Sequence, residues 1–419
     1  FVIIGAVLWA PIAAISDDQV SWQDAFRAVL RVGLLTVLTQ LWWMAALVAG
    51  GKHGLPILSL TETLNSTNNT TSSFEILRSL GYWFFYGRDT SGLWLSGLAD
   101  PYMERLWLLL ISYGVAGVGL LAMAVVRWRH RMYFVLLAVL GLVISIGSFD
   151  HAGRSVYGSL FKKAADSYDL IFSLRNTQRA TPLVVLAFAA VVAAAIQSFW
   201  MKQRSLAAIT NVIVVLMVVI NLYPLWSGSL IGERFHREEI PSYWNEAAEI
   251  LDSGQKDTRV MEIPGIDFAS YRWGHTLDPI TPGLIERPYL ARELIPQGDE
   301  SGANLLVAFD RSLQEGWFES DSLPEIARIF GVGDIVLRSD LEYERYRTVR
   351  PQLLWSILRE PPDGLSEPQK LGEPVPNKAS EINPMLDEIE LGIPIQSEHP
   401  PPIAIFSVES PLSMVRVRP

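Results

Sequence analysis

Long apolar runs recur through the first half of this chain, and they restrict its fold more than any other feature. A helix needs roughly 20 apolar residues to cross about 30 Å of hydrocarbon. Runs of about that size extend from Ala25 to Gly50, Leu106 to Val126, Met132 to Ser148, Pro182 to Trp200 and Leu206 to Leu225, and Phe1 to Ile15 adds a sixth, read as a helix cut short. Any one of the shorter runs fits a buried core helix, but the series has Trp107, Trp128, Trp200, Tyr223 and Trp226 at its ends, where interfacial aromatic anchors sit. Residues 1–225 therefore predict a polytopic α-helical membrane region of about six transmembrane helices.

The second half differs in kind. Half of the 419 residues are hydrophobic and mean hydropathy is +0.24. The charge is divided unevenly: residues 1–225 hold 16 Lys and Arg against 11 Asp and Glu, while residues 226–419 hold 18 against 33. So acidic a second half suits a water-soluble domain and excludes nucleic acid as a partner. The absence of cysteine excludes a disulfide scaffold, a thiolate zinc site and a thiol nucleophile.

Residues 226–362 predict a mixed α/β domain. Ser242 is expected to cap a helix running to Leu251, with Gly254 beyond its end, and Arg259–Pro264 and Asp334–Arg338 are expected as strands. Residues 363–401, rich in Pro, Glu and Ser, read as a linker or long loop, and residues 402–419 as a terminal strand, cut short at the C-terminus. The short connections at 127–131 and 201–204 are dense in Arg and Lys, which marks them as cytoplasmic. That puts the 51–105 loop, the 149–181 loop and the acidic domain outside, although basic residues summed over all loops do not discriminate.

No phosphate-binding P-loop, nucleophile elbow, zincin motif or dinucleotide fingerprint occurs, and the six His are scattered. No cofactor or metal is expected. The 149–181 loop carries Arg154, Lys162, Lys163, Arg175 and Arg179 against Asp150, Asp166 and Asp169. Basic residues placed outside a membrane run against the usual bias, and an anionic lipid phosphate would account for them. Arg175 and Arg179, four apart, would meet on one helical face and grip a phosphate; the alternative is snorkelling or pairing with Asp166 and Asp169. Asp150 and His151 form either an acid/base pair or a solvated helix end. In the 51–105 loop a polar tract, Thr61–Thr71, precedes the aromatic Leu80–Gly87 stretch, which fits an interfacial helix or a lid that stacks on sugar rings. Three overlapping N-x-[ST] matches, at Asn65, Asn68 and Asn69, are expected by chance in so Thr-rich a tract. Tyr271–Asp278 concentrates aromatic and hydrogen-bonding groups in the manner of a sugar site or of a satisfied core.

The order Thr61-Glu62-Thr63, Glu75–Trp83, Leu174–Arg179, Tyr243-Trp244, Tyr271–Gly274 with Leu277-Asp278, and Ala291–Pro296 resembles the actinobacterial membrane α-(1→3)-arabinofuranosyltransferase family. The resemblance implies a GT-C glycosyltransferase of the plasma membrane, moving arabinofuranose from a decaprenyl-phosphate donor to cell-wall arabinan at the outer face. It implies a lipid-linked donor, a polysaccharide acceptor and contact with membrane lipid. It makes Arg175 and Arg179 the donor-phosphate residues, and Glu62, Arg78, Tyr82, Trp83, Asp150, His151, Asn176, Arg272 and Trp273 substrate-binding candidates. The catalytic carboxylate of such enzymes lies in the first external loop, so it is expected to precede Phe1. The competing expectations are a non-catalytic glycan-binding or scaffold membrane protein, and a GT-C enzyme using another polyprenyl-phosphate sugar.

Overall fold

The computed structural model describes residues 3–16, 20–50, 57–89, 92–151, 153–230, 239–294, 299–381 and 398–415. The start of the first apolar run, the whole 51–56 entry to the first loop, Ile295-Pro296, much of the 363–401 segment and the last four residues therefore lie outside the described residues. The chain divides into two compact units, Phe1–Lys52 with Pro56–Glu233, and His53–Leu55 with Arg234–Pro419.

The first unit is built on α1 (Ile3–Ser16), α2 (Trp22–Gly50), α3 (Leu106–Val125), α4 (Arg131–Ile146), α5 (Thr181–Trp200) and α6 (Arg204–Asn221). Among the described residues, four helices are long and apolar enough to cross a membrane: α2, α3, α5 with the turn before it, and α6. The other two expected spans, α1 and α4, are apolar but shorter, with 14 and 16 residues. At 1.5 Å per residue α4 reaches about 24 Å, less than the hydrocarbon thickness. It stops at Ile146 because Gly147 turns to φ 57° and ψ −128°. The last expected run is divided: α6 ends at Asn221, and Tyr223–Trp226 forms a separate turn around Pro224, which has no N–H to continue the ladder.

α5 is the central helix, packed against α3, α4 and α6. Its contacts are close where glycines face it. A Cβ on Gly119 of α3 would sit 2.5 Å from Cγ of Phe188, and one on Gly141 of α4 would sit 3.0 Å from Leu183 and Val184. Small residues let backbones approach where apolar burial offers no advantage over lipid. α2, by contrast, buries only Ala25, and its 29 residues otherwise present an apolar surface.

The second unit is a three-layer α/β/α arrangement. Its sheet has the order β2-β1-β3-β5-β4, with β1 (Arg259–Ile263), β2 (Tyr289–Leu290), β3 (Val332–Arg338), β4 (Gln369–Leu371) and β5 (Ile403–Ser407). β1 runs parallel to β2 and β3, whereas β5 is antiparallel to β3 and β4. Period-2 alternation divides the strand residues between two cores. Met261, Ile263, Ile335, Leu337, Ala404 and Phe406 face α8 (Glu300–Gln314), α9 (Leu323–Phe330) and α10 (Pro351–Leu358), while Val260, Val336, Ile403 and Ile405 face α7 (Ser242–Ser253). All seven residues of β3 are buried, which explains its near-continuous apolar sequence. The strands expected from sequence are present, with β3 starting two residues earlier. Ser242 is the first helical residue and not the cap, a position that falls to Pro241.

Candidate functional site

The polar tract of the first loop is not an exposed linker. Thr63 accepts the Ser66 N–H and starts a short helix, Leu64–Asn68, which is inserted at the junction of α4 and α5. Asn68 is buried there: Nδ2 donates to the Arg175 carbonyl at 2.8 Å, and Oδ1 accepts the Ser148 N–H at 2.9 Å and the Thr177 hydroxyl at 3.3 Å. Thr71 donates to the Ile146 carbonyl at 2.8 Å and Thr177 to that of Ser145 at 3.0 Å. These groups take up backbone acceptors at the end of α4, where the helix itself leaves carbonyls without partners. Gly147 makes the insertion possible, because a Cβ there would lie 2.2 Å from Asn68 Oδ1. Burial also removes Asn68 from consideration as a glycan acceptor.

The two arginines of the 149–181 loop have different surroundings. Residues 175–179 do not form an α-helical face: Arg175 precedes a 3-10 turn, Thr177–Ala180, that contains Arg179. Arg175 is buried, donates to Thr61 Oγ1 at 2.6 Å and Glu62 Oε2 at 3.2 Å, and lies over the Phe172 ring at 5.0 Å. The expected two-arginine grip is therefore not formed. Arg179 is exposed, and among the described residues its guanidinium has no ion pair and no hydrogen bond.

Arg179 lines a cavity of about 710 Å³ together with Ser79, Leu80, Tyr82, Pro182 and Leu186. A second cavity, of about 540 Å³, lies among α3, α5 and α6, lined mainly by apolar side chains such as Val115, Phe188, Val192, Val214 and Met217. The two share Ser79, Val185 and Ala189, so they adjoin as a groove whose first part is lined by Arg179 and whose second part is mainly apolar. Arg78 holds the junction. It donates to Ser112 Oγ at 2.8 Å, Glu75 at 3.0 Å and the Tyr102 carbonyl at 2.6 Å, and lies 5.0 Å from the centre of the Tyr113 ring. With its donors engaged inside the protein, Arg78 shapes the groove and presents little charge to a ligand.

The aromatic stretch is a 3-10 turn, Trp83–Tyr86, and not an interfacial α-helix. Tyr82, Trp83, Phe84 and Trp94 form a ring cluster with centroid spacings of 5.2–6.4 Å, and Tyr82 faces the groove. Asn176 accepts from Gln178 at 3.3 Å. Asp150 pairs with Arg154 at 2.8 Å in a partly exposed position, and no hydrogen bond joins it to His151.

Arg272 and Trp273 belong to the second unit. Arg272 grips Glu344 through two 2.7 Å contacts. Trp273 stacks on Tyr271 at 4.7 Å and donates to Asp340 Oδ2 at 3.0 Å, as do Trp244 and Tyr243. Burial lifts the Asp340 carboxyl above the usual carboxylate range, opposed by those three donors. Beside it, the fully buried Arg338 and Glu262 pair at 2.7 Å. Among the described residues no cluster of three or more His, Asp or Glu is placed to hold a metal ion.

Among the described residues, four helices of the first unit are long and apolar enough to cross a membrane, which defines the class as that of a polytopic membrane protein. The chain belongs to the α-(1→3)-arabinofuranosyltransferase family, as its N-terminal GT-C domain, the family model matching residues 2–416. It is 24% identical over 389 residues to the α-(1→3)-arabinofuranosyltransferase of Mycolicibacterium smegmatis, covering 89% of this chain and 26% of that protein. It is 25% identical over 396 residues to that of Mycobacterium tuberculosis, covering 88% and 27%. Its fold is similar to the cryo-EM structure of arabinofuranosyltransferase AftD from Mycobacteria, with a TM-score of 0.63 and 20% identity over 97% of this chain and 26% of that one. The chain thus spans about a quarter of the length of the relatives it matches, and the family resemblance seen in the sequence holds.

Proposed function

We propose that this chain forms the donor-binding part of a plasma-membrane glycosyltransferase that moves arabinofuranose from a decaprenyl-phosphate donor to cell-wall arabinan through an α-1,3 linkage. The observation that carries this reading is the unpaired Arg179 guanidinium at the head of a groove that continues between α3, α5 and α6. A lipid phosphate fits the cation, and a prenyl chain fits the apolar length. In the transfer, the acceptor hydroxyl attacks the anomeric carbon as it loses its proton to a general base, and the bond to the lipid phosphate breaks. Arg179 stabilises the charge that gathers on the departing phosphate, an effect that counts only if it grows in the transition state. Arg175, held by Glu62 and Thr61, does not line the groove and takes no part in this contact. We place the second unit on the extracytoplasmic side with the 149–181 loop.

Replacing Arg179 with Ala in the full-length enzyme should remove a charge-assisted contact of roughly 1.5–3 kcal/mol, lowering kcat/KM for the donor about tenfold or more. Lys should restore part of the loss, keeping the charge without the planar fork. Kinetics at matched membrane expression check this, and normal donor use by the Ala variant would end the assignment. Absence of any transfer by the unmodified full-length protein, with defined polyprenyl-phosphate sugars and an arabinan acceptor, would favour a scaffold instead.

A further inference from the structure

A third cavity in the first unit, of about 360 Å³, lies apart from the donor groove and shares no lining residue with it. Its size falls within the range of small-molecule sites, roughly 300–1,000 Å³. One wall comes from the first loop, through Thr61, Thr63 and Asn65, and the other from the 149–181 loop, through Lys162, Asp169 and Phe172. Hydroxyl, amide, carboxylate and ammonium groups therefore surround an opening that also has apolar surface from Leu58, Leu64 and Phe172. Lys162 is engaged by Asp166 at 2.8 Å, but among the described residues the Asp169 carboxylate has neither a cation nor a hydrogen-bond donor.

We propose that this pocket is a carbohydrate subsite that holds a furanose unit of the polysaccharide acceptor. A sugar offers several hydroxyl donors and a C–H face, matching the free carboxylate, the Asn65 amide and the Phe172 ring. A phosphate is disfavoured by Asp166 and Asp169, and a purely apolar guest would leave the polar wall without partners. The buried Arg175 gains a purpose in this arrangement. By binding Thr61 and Glu62 while lying over Phe172, it ties the two walls together, so it is a positioning residue for the pocket. The inference rests on the reading of the protein as a sugar transferase, and it concerns acceptor binding alone.

The test is the binding of a lipid-free arabinofuranosyl oligosaccharide to full-length protein in nanodiscs, followed by saturation-transfer NMR and titration. Asp169→Asn, which is exposed and leaves the fold untouched, and Asn65→Ala should each weaken binding about tenfold, and should raise the acceptor KM while leaving the donor KM unchanged. Arg179→Ala should bind the oligosaccharide normally. Unchanged affinity in both pocket variants overturns the subsite, as does equal loss in Arg179→Ala, which would move acceptor binding to the groove. Normal donor kinetics in Arg179→Ala, with binding still sensitive to Asp169→Asn, would remove the donor assignment and leave this one standing.

Discussion

Asp340 shows how a single residue can be visible in a sequence and its state invisible. Tyr243, Trp244 and Trp273 stand out as aromatic groups, yet nothing in their spacing shows that all three donate to one carboxylate oxygen while the other oxygen is buried without a partner. Because burial raises this carboxyl in the folded protein, the folded state binds its proton more tightly than the unfolded chain, whose Asp titrates near about 3.9. Stability contributed by that proton is present below about pH 4 and is lost as pH rises through the folded value. An Asp340→Asn variant, which keeps an acceptor for the three donors, should show a flatter pH dependence of melting temperature above about pH 4 than the unmodified protein. Equal slopes would mean that Asp340 does not titrate differently on folding. The two loop arginines make the same point. Their identity suggested phosphate binding, but only tertiary contacts separate Arg175, consumed by Glu62 and Thr61, from Arg179, which remains free.

Among the elements, periodicity and apolar length revealed the long apolar helices, α7 and all three expected strands, since these depend on local pattern, but not α8, α9, α10 or the short helices of the loops. The Thr61–Thr71 tract was not readable in this way: its polar residues satisfy the end of another helix more than 70 residues away in the chain, as in the Thr71 contact with Ile146. Glycines in the membrane helices were equally silent, although they set the helix spacing. Gly119 has Phe188 directly above it, and Phe188 also lines the groove between α3, α5 and α6. A Gly119→Val substitution should force the α3–α5 contact apart at a cost of about 1–3 kcal/mol. The expected result is a lower melting temperature in detergent together with weaker donor binding. A variant with wild-type stability would show that the ring moves aside freely.

For the whole molecule, the charge division between the two halves announced two different solvents, and α5 and α6 supply the connection between them. Two crossings return a chain to the side from which it left. Residues 1–419 hold no cysteine, so Ser159→Cys and Ser301→Cys each introduce a single thiol into this stretch at an exposed position. Both should react with an impermeant maleimide in intact cells, and labelling of only one would require a different number of crossings. The site was less legible at this scale than the architecture, since the groove exists only where α3 comes together with α5 and α6, which lie far along the chain from it.

That groove has a kinetic meaning. Val185 lines both of its cavities and is itself 46% exposed on the apolar flank of α5, so the lipid donor proposed above would reach it from within the bilayer and not from water. Encounter is then a two-dimensional search, in which occupancy follows the mole fraction of the guest among lipids and not its concentration per litre. Adding inert detergent or lipid at constant donor would empty the site by surface dilution alone, with no change in any contact the protein makes.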